Sequence, residues 1–234
     1  MRISLQPAFV LHHRAYRETS LLLDLFTESH GRISLIARGV RTHRSKLRSL
    51  LQPFVPLLIS WQGKSELMLF NSAENNGTPF QLQGDCLLSG FYLNELLVRV
   101  LQKQDAHPQL YTIYHNTLLE LQTGQLQQKT LRLFEKKLLE ELGYGLQLQR
   151  DFFTGEELIA EQFYLFYPEQ GFKRSAVRVG DRMQFKGKSL LALAAEQLND
   201  EECIRDAKRL MRIALASLLG LQFLHSRKLF TEVQ

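Results

Sequence analysis

Arg32-Ile33-Ser34-Leu35-Ile36-Ala37-Arg38, followed at once by Gly39-Val40-Arg41-Thr42-His43-Arg44-Ser45-Lys46-Leu47-Arg48, decides how the first third of this 234-residue chain is read. The first seven residues alternate. Positions 32, 34, 36 and 38 share one face of a strand, and Ile33, Leu35 and Ala37 share the other. The apolar row belongs against a core, so Arg32 and Arg38 project from the opposite wall. The ten residues that follow have little apolar content and carry Arg41, Arg44, Lys46 and Arg48. Strand and loop together predict one cationic surface.

Working outward, four more short apolar runs flank this stretch: Ala8–His13, Thr19–Thr27, Phe54–Trp61 and Glu66–Asn71. Turn signals separate them. Ser29-His30-Gly31 suits a hairpin between the second and third strands, and Gln62-Gly63-Lys64-Ser65 suits one between the fourth and fifth. Pro53 and Pro56 imply that the fourth strand starts irregularly or lies at an edge. Five strands in so short a span fit a small barrel, of which the OB-fold is the five-stranded version.

From residue 84 the apolar period changes to 3.6. Helices are predicted over Leu87–Leu101, Gln109–Leu121, Lys129–Leu142, Ser189–Leu198 and Glu201–Leu219. Gly143 marks the end of the third, Asp200 caps the last, and Gly220 ends it. Residues 146–188 are ambiguous, with strand-like runs at Phe163–Tyr167 and Met183–Phe185 and a turn at Gln170-Gly171. The expected class is α+β: an OB-type barrel over residues 1–80, then a mainly helical domain over 81–234 with a small β segment around 160–187.

Charge is distributed unevenly. Residues 1–80 hold ten Lys/Arg against five Asp/Glu, and the rest of the chain holds nineteen of each, so the net charge of +5 lies in the first third. No acidic residue occurs between Glu28 and Glu66. An uncompensated cluster of Arg32, Arg38, Arg41, Arg44, Lys46 and Arg48 implies a polyanion, the phosphate backbone first among them. A merely solubilising loop is the plainer alternative.

Neither G-x-x-x-x-G-K-[ST] nor G-x-G-x-x-G occurs, nor H-E-x-x-H or G-x-S-x-G. Cys86 and Cys203 lie far apart without metal-ligand spacing and suit reduced core positions. His12 and His13 point to opposite faces of a strand and cannot share a metal. Trp61, Phe54 and Phe70 fit a core better than a stacking surface. The expectation is a binding protein and not an enzyme, with no cofactor and no metal. No signal peptide or membrane span is visible, which points to the cytoplasm.

Several fragments then form a pattern. Ala8-Phe9-Val10-Leu11-His12, Glu18–Glu28, Gly31-Arg32, Ala37-Arg38-Gly39-Val40-Arg41 and Leu51-Gln52-Pro53-Phe54 resemble, in order and spacing, the opening of RecO proteins. Phe91–Leu97, Leu131–Glu135, Glu141–Gly145, Ala207–Met211 and Ser226–Phe230 continue the resemblance. It implies a DNA repair and recombination mediator that binds single- and double-stranded DNA. It further implies annealing of complementary strands without ATP, and action with RecR to load RecA on gapped DNA coated by single-stranded-DNA-binding protein. Whether RecF takes part is left open by the resemblance, and association with the nucleoid during repair is an expected location. Some relatives carry a four-cysteine zinc module after the residues matching Gly143-Tyr144-Gly145. Here Asp151–Glu156 holds no cysteine, so no metal is carried over. The resemblance also places the C-terminal tail of single-stranded-DNA-binding protein against Arg132, flanked by Lys129 and Lys136; a surface arginine paired with Glu135 or Glu140 is the alternative. An RNA-binding OB-fold factor and a protein-interaction adaptor remain as other readings of the same barrel.

Overall fold

The computed structural model describes residues 2–42, 45–177, 180, 182–220 and 224–226. Five strands, β1 (Arg2–Tyr16), β2 (Ser20–Thr27), β3 (Gly31–Ala37), β4 (Leu57–Gln62) and β5 (Leu67–Asn75), close into a barrel in the order β1-β2-β3-β5-β4. All contacts are antiparallel except β3 with β5, and β1 pairs with both β2 and β4. This is the OB-type arrangement. β4 begins only after Pro56, and closure leaves it no free edge, so the prolines mark an irregular start.

The alternation in β3 holds. Ile33, Leu35 and Ala37 are at most 1% exposed and pack with Ala8, Val10, Leu23, Leu25, Leu57, Ile59 and Trp61 inside the barrel. Trp61, Phe54 and Phe70 are buried, so none offers a ring to solvent. A short helix α1 (Leu47–Leu50), absent from the expectation, follows the basic loop and packs Leu47 and Leu50 against this core.

Two further helices, α2 (Gly84–Val100) and α3 (Pro108–Gln122), belong with the barrel. Close packing divides the chain into residues 1–125 with 223–234, and residues 126–222. Phe9 of β1 and Phe26 of β2 point outward and are wholly buried by α3. Phe9 meets Tyr114 edge-on at 5.2 Å and Tyr111 at 5.4 Å, and Phe26 meets Tyr111 at 5.6 Å. Asn94 of α2 ties the layers together, donating to the Leu11 carbonyl at 3.1 Å and accepting from the Tyr114 hydroxyl at 2.6 Å. At Gly31, φ is +61° and a Cβ would stand 1.7 Å from the Asp105 carbonyl oxygen, so only glycine lets the α2–α3 connection cross this strand. A cut at 80/81 would strip Phe9 and Phe26 of their cover.

The second unit holds α4 (Gln127–Glu141), α5 (Gly187–Ala194) and α6 (Glu201–Leu219), with a sheet of β6 (Phe163–Tyr167), β7 (Gly171–Ser175) and β8 (Gln184–Lys186) in the order β7-β6-β8. This resolves the ambiguous stretch: both expected strands form, and β7 adds a third. α4 ends at Gly143 with φ +82°, where Tyr144 N donates back to Leu139 O. Asp200 caps α6 by accepting from Cys203 N at 2.8 Å. α5 is shorter than expected because Glu196 takes the left-handed conformation (φ +58°) and Gln197 N donates to Ala192 O. That is the same stop as at Gly143, made with a residue that does not announce it.

Candidate nucleic-acid interface

The barrel's basic loop is anchored from below and stitched from the side. Val40 and Leu51 are 0% exposed in the barrel core. Arg41 N donates to Thr19 O at 2.9 Å, and the Arg41 guanidinium donates to Arg17 O at 3.0 Å. The loop is thereby sewn to the β1–β2 turn. Arg38, Arg41, Lys46 and Arg48 are all exposed. Among the described residues, no carboxylate lies within 4.0 Å of any of the four. Arg44 falls outside the described residues.

Arg32 stands apart from this group. It lies on the same strand face as Arg38, six residues away, which at ~3.3 Å per residue separates the two by ~20 Å. The α2–α3 connection covers its end of the strand. The Arg32 guanidinium donates to the Leu101 carbonyl at 3.0 Å, lies 3.9 Å from Asp24, and is only 16% exposed. The expectation that Arg32 and Arg38 project together is therefore corrected: one is a fastening for the helices, the other faces water.

Two cations escaped the sequence reading. Arg14 lies opposite Leu22 on the outer face, and Arg17 sits at the tip of the β1–β2 hairpin with its guanidinium 5.3 Å from the centre of the Tyr16 ring. Both are exposed. Only the pairing of β1 with β2 and of β2 with β3 brings residues 14–17 beside the end of the third strand. Tyr16, Arg17, Glu18, Thr19, Ser20, Ile36 and Arg38 line a shallow concavity there, in which Glu18 is the one carboxylate among the described residues. Cations on a fixed wall, without a nucleophile or a metal set, can hold phosphates and screen their charge. No cluster of three metal-ligating side chains occurs among the described residues, and Cys86 and Cys203 are free thiols.

The second expected site lies on α4. Arg132 is buried (7% side-chain exposure) and paired with Glu135 at 2.9 Å, while its Nε has no hydrogen-bond partner. Lys136 bonds Glu140 at 3.2 Å and Glu196 at 3.1 Å. Burial would lower the Lys136 pKa, but these two carboxylates outweigh it and hold it above the ordinary value. Lys129 is half-buried. Of the alternative, a surface arginine paired with Glu135 or Glu140, the Glu135 pair is present, but Arg132 is buried and does not stand at the surface. A further cation, Lys208 of α6, is pushed below its ordinary pKa by partial desolvation first, then by Arg132 and Arg212, with Glu135 opposing. Among the described residues, Lys208 thus feels two arginines and one carboxylate, Glu135.

Among the described residues, no helix is long and apolar enough to cross a membrane. Residues 1–77 match the model of the recombination protein O N-terminal domain, and residues 81–228 match that of its C-terminal domain. A DNA repair protein RecO of Coxiella burnetii (strain RSA 493) is 46% identical over 228 residues, covering 97% of this chain and 98% of that protein. One from Haemophilus influenzae (strain 86-028NP) is 45% identical over 232 residues, covering 99% and 98%. One from Nitrosococcus oceani is 44% identical over 234 residues, covering 100% and 95%. Barrel, helical part and these likenesses over nearly the whole length agree, and the chain belongs to the RecO family of DNA repair proteins.

Proposed function

We propose that this protein is a recombination mediator that binds single- and double-stranded DNA and anneals complementary strands without ATP. The observation that carries the reading is the exposed set Arg38, Arg41, Lys46 and Arg48, free of carboxylates within 4.0 Å among the described residues and fixed to the hairpin that bears Arg17. Phosphate contacts position a strand without reading its sequence, so base pairing between the two strands supplies the specificity. Four such contacts imply a salt slope on single strands of about −3, and adding Arg14 and Arg17 raises it to about −4. The function needs no catalytic constellation, which is why we read the protein as a binding protein and not an enzyme.

In this reading the cationic DNA surface lies on residues 1–80 and the contact with single-stranded-DNA-binding protein on 81–234. The acidic, apolar C-terminal tail of single-stranded-DNA-binding protein binds beside Arg132 and Lys129. Its terminal carboxylate relieves the positive excess of Arg132, Lys208 and Arg212. Lys136, already held by two glutamates, contributes less. With RecR, and with RecF where it takes part, the complex favours loading of RecA on gapped DNA in the cytoplasm at the nucleoid.

Annealing of two complementary fluorescent oligonucleotides, without ATP or metal, tests this. The unaltered protein is expected to accelerate pairing, and Arg41→Glu/Lys46→Glu to abolish the acceleration while keeping the thermal midpoint. If single strands bind but do not pair faster, the mediator mechanism fails while the barrel interface stands. A preference for structured RNA favours the RNA-binding reading instead. Unchanged DNA affinity with loss of an acidic protein partner favours the adaptor.

A further inference from the structure

The sheet of the second unit has two unlike faces. Tyr164, Phe166, Phe172 and Phe185 line the inner one and are at most 4% exposed. By register, Leu165 and Tyr167 of β6 and Gly171 and Lys173 of β7 lie on the other face. Aromatic rings stand in water there: Tyr167 is 40% exposed, Phe152 37% and Phe153 70%. The rings of Tyr167 and Phe152 meet at 5.8 Å. Gly171 suits the turn beside them, since its φ of +125° is one that residues with a Cβ rarely adopt. The Lys173 ammonium lies 4.4 Å from the centre of the Phe153 ring.

The loop that carries these rings is held firmly. Asp151, 4% exposed, accepts from the backbone N–H groups of Phe153 at 2.8 Å and Thr154 at 3.1 Å, and with its other oxygen from Arg174 N at 2.7 Å. Phe152 N donates to Phe172 O at 2.9 Å, which docks the loop along β7. Burial alone would raise the Asp151 pKa; the three donors and nearby Lys173 outweigh it and keep the carboxylate charged. A buried charge thus fixes a turn whose outward product is exposed aromatic surface. Of the outer register positions, Leu165, Tyr167, Gly171 and Lys173 bring one cation and no carboxylate, whereas Gln184, 5% exposed, and Lys186 line a separate concavity with Glu202 and Asp206 of α6. Glu156 and Glu169 flank the patch in the adjoining turns.

We infer that this face binds the unpaired bases of a single-stranded nucleic acid, which stack on Phe153, Phe152 and Tyr167 while Lys173 meets the backbone. Exposed rings interleaved with a cation are the recurring composition of such surfaces, because every base has a face to stack. The two units are complementary in this respect. The barrel offers cations with the half-exposed Tyr16 ring beside them, while Trp61, Phe54 and Phe70 are buried; the sheet offers three exposed rings and few cations. Bases in a duplex are already stacked, so the sheet face discriminates single from double strands, which phosphate contacts on the barrel do not. The inference rests on the reading that the protein binds DNA, and its test separates the two.

The probe is oligothymidylate, with a hairpin duplex of equal charge as control, at ~0.5 M salt, where the screening length is about 4 Å and phosphate contacts weaken. In Phe153→Trp the new indole emission is expected to be quenched by oligothymidylate and not by the duplex. The unaltered protein, whose Trp61 is 2% exposed, shows the background. Phe153→Ala and Tyr167→Ala are each expected to weaken oligothymidylate binding about tenfold and to leave duplex binding unchanged. Absence of quenching while the barrel still binds DNA, as judged by loss of that binding in Arg41→Glu/Lys46→Glu, overturns the inference and leaves the DNA reading intact. Equal losses on single strands and duplex overturn it in favour of plain charge. Quenching by an acidic peptide but not by oligothymidylate makes the face a protein-docking surface and overturns it as well. No binding of either nucleic acid by the unaltered protein at low salt overturns the DNA reading and this inference together.

Discussion

The outer wall of the barrel is one surface with two halves, and they behave oppositely. At one end Phe9, Phe26 and Arg32 lie under α3 and the α2–α3 connection; at the other Arg14, Tyr16, Ile36 and Arg38 face the concavity or open water. Arg32 and Arg38 share a strand face, a residue type and a charge. The covered one has a carbonyl and a carboxylate for company, whereas no carboxylate approaches the open one within 4.0 Å among the described residues. What a cation does is therefore decided by what lies above it, and a cluster of positive charge in a sequence contains both kinds.

The comparison breaks most visibly under the helices. Phe9→Ala removes a wholly buried ring that touches Tyr111 and Tyr114, and is expected to cost about 3–5 kcal/mol in urea denaturation. A cost below ~1 kcal/mol would mean that the helices do not depend on this half of the barrel. Arg32→Ala comes next, at about 1–2 kcal/mol, because it deletes a charged donor to Leu101 O while Asp24 keeps its bond from Ser34. Its salt slope for single-stranded DNA is expected to match that of the unaltered protein; a shallower slope returns Arg32 to the interface.

A pH measurement sharpens the covered half further. Glu95 of α2 accepts from His225 N and Ser226 N, both at 2.8 Å. Burial would raise its pKa, but these donors and Arg99 prevail and lower it. A depressed carboxylate stabilises the fold above the unfolded glutamate value, near ~4.3, and that contribution disappears as pH falls through the lower folded value. Glu95→Gln is accordingly expected to cost about 1 kcal/mol at pH 7 and to differ little from the parent in strong acid. Melting the pair at pH 7 and below pH 3 reads the difference, and an equal gap at both refutes it. The smallest effect belongs to the open half. Arg38→Ala is expected to change stability by less than ~0.5 kcal/mol yet reduce the single-strand salt slope by about 0.7. An unchanged slope takes Arg38 out of the interface.

Much of this was legible from local pattern. The five strands, the helix from Asp200 to Gly220 and the stop at Gly143 each carry a signal within a few residues: alternation, a capping carboxylate, a glycine at positive φ. The basic loop was legible too, since sign and spacing are properties of the sequence itself. β7 was missed because Gly171-Phe172-Lys173-Arg174-Ser175 lacks an alternating apolar row, and the stop at Glu196 because a glutamate seldom takes that conformation. Arg14 and Arg17 were missed because their place beside Arg38 exists only once β1 pairs with β2 and β2 with β3.

The sequence alone thus determined the barrel-then-helices order, the family resemblance and the sign of the surface, since periodicity and charge are written residue by residue. Only the tertiary structure decided which cations are exposed. It also placed α2 and α3 with the barrel and turned the rings of Phe152, Phe153 and Tyr167 outward. The physical reason is that burial is a property of pairs of distant segments: Leu101 covers Arg32 from 69 positions away, and no local pattern records that approach.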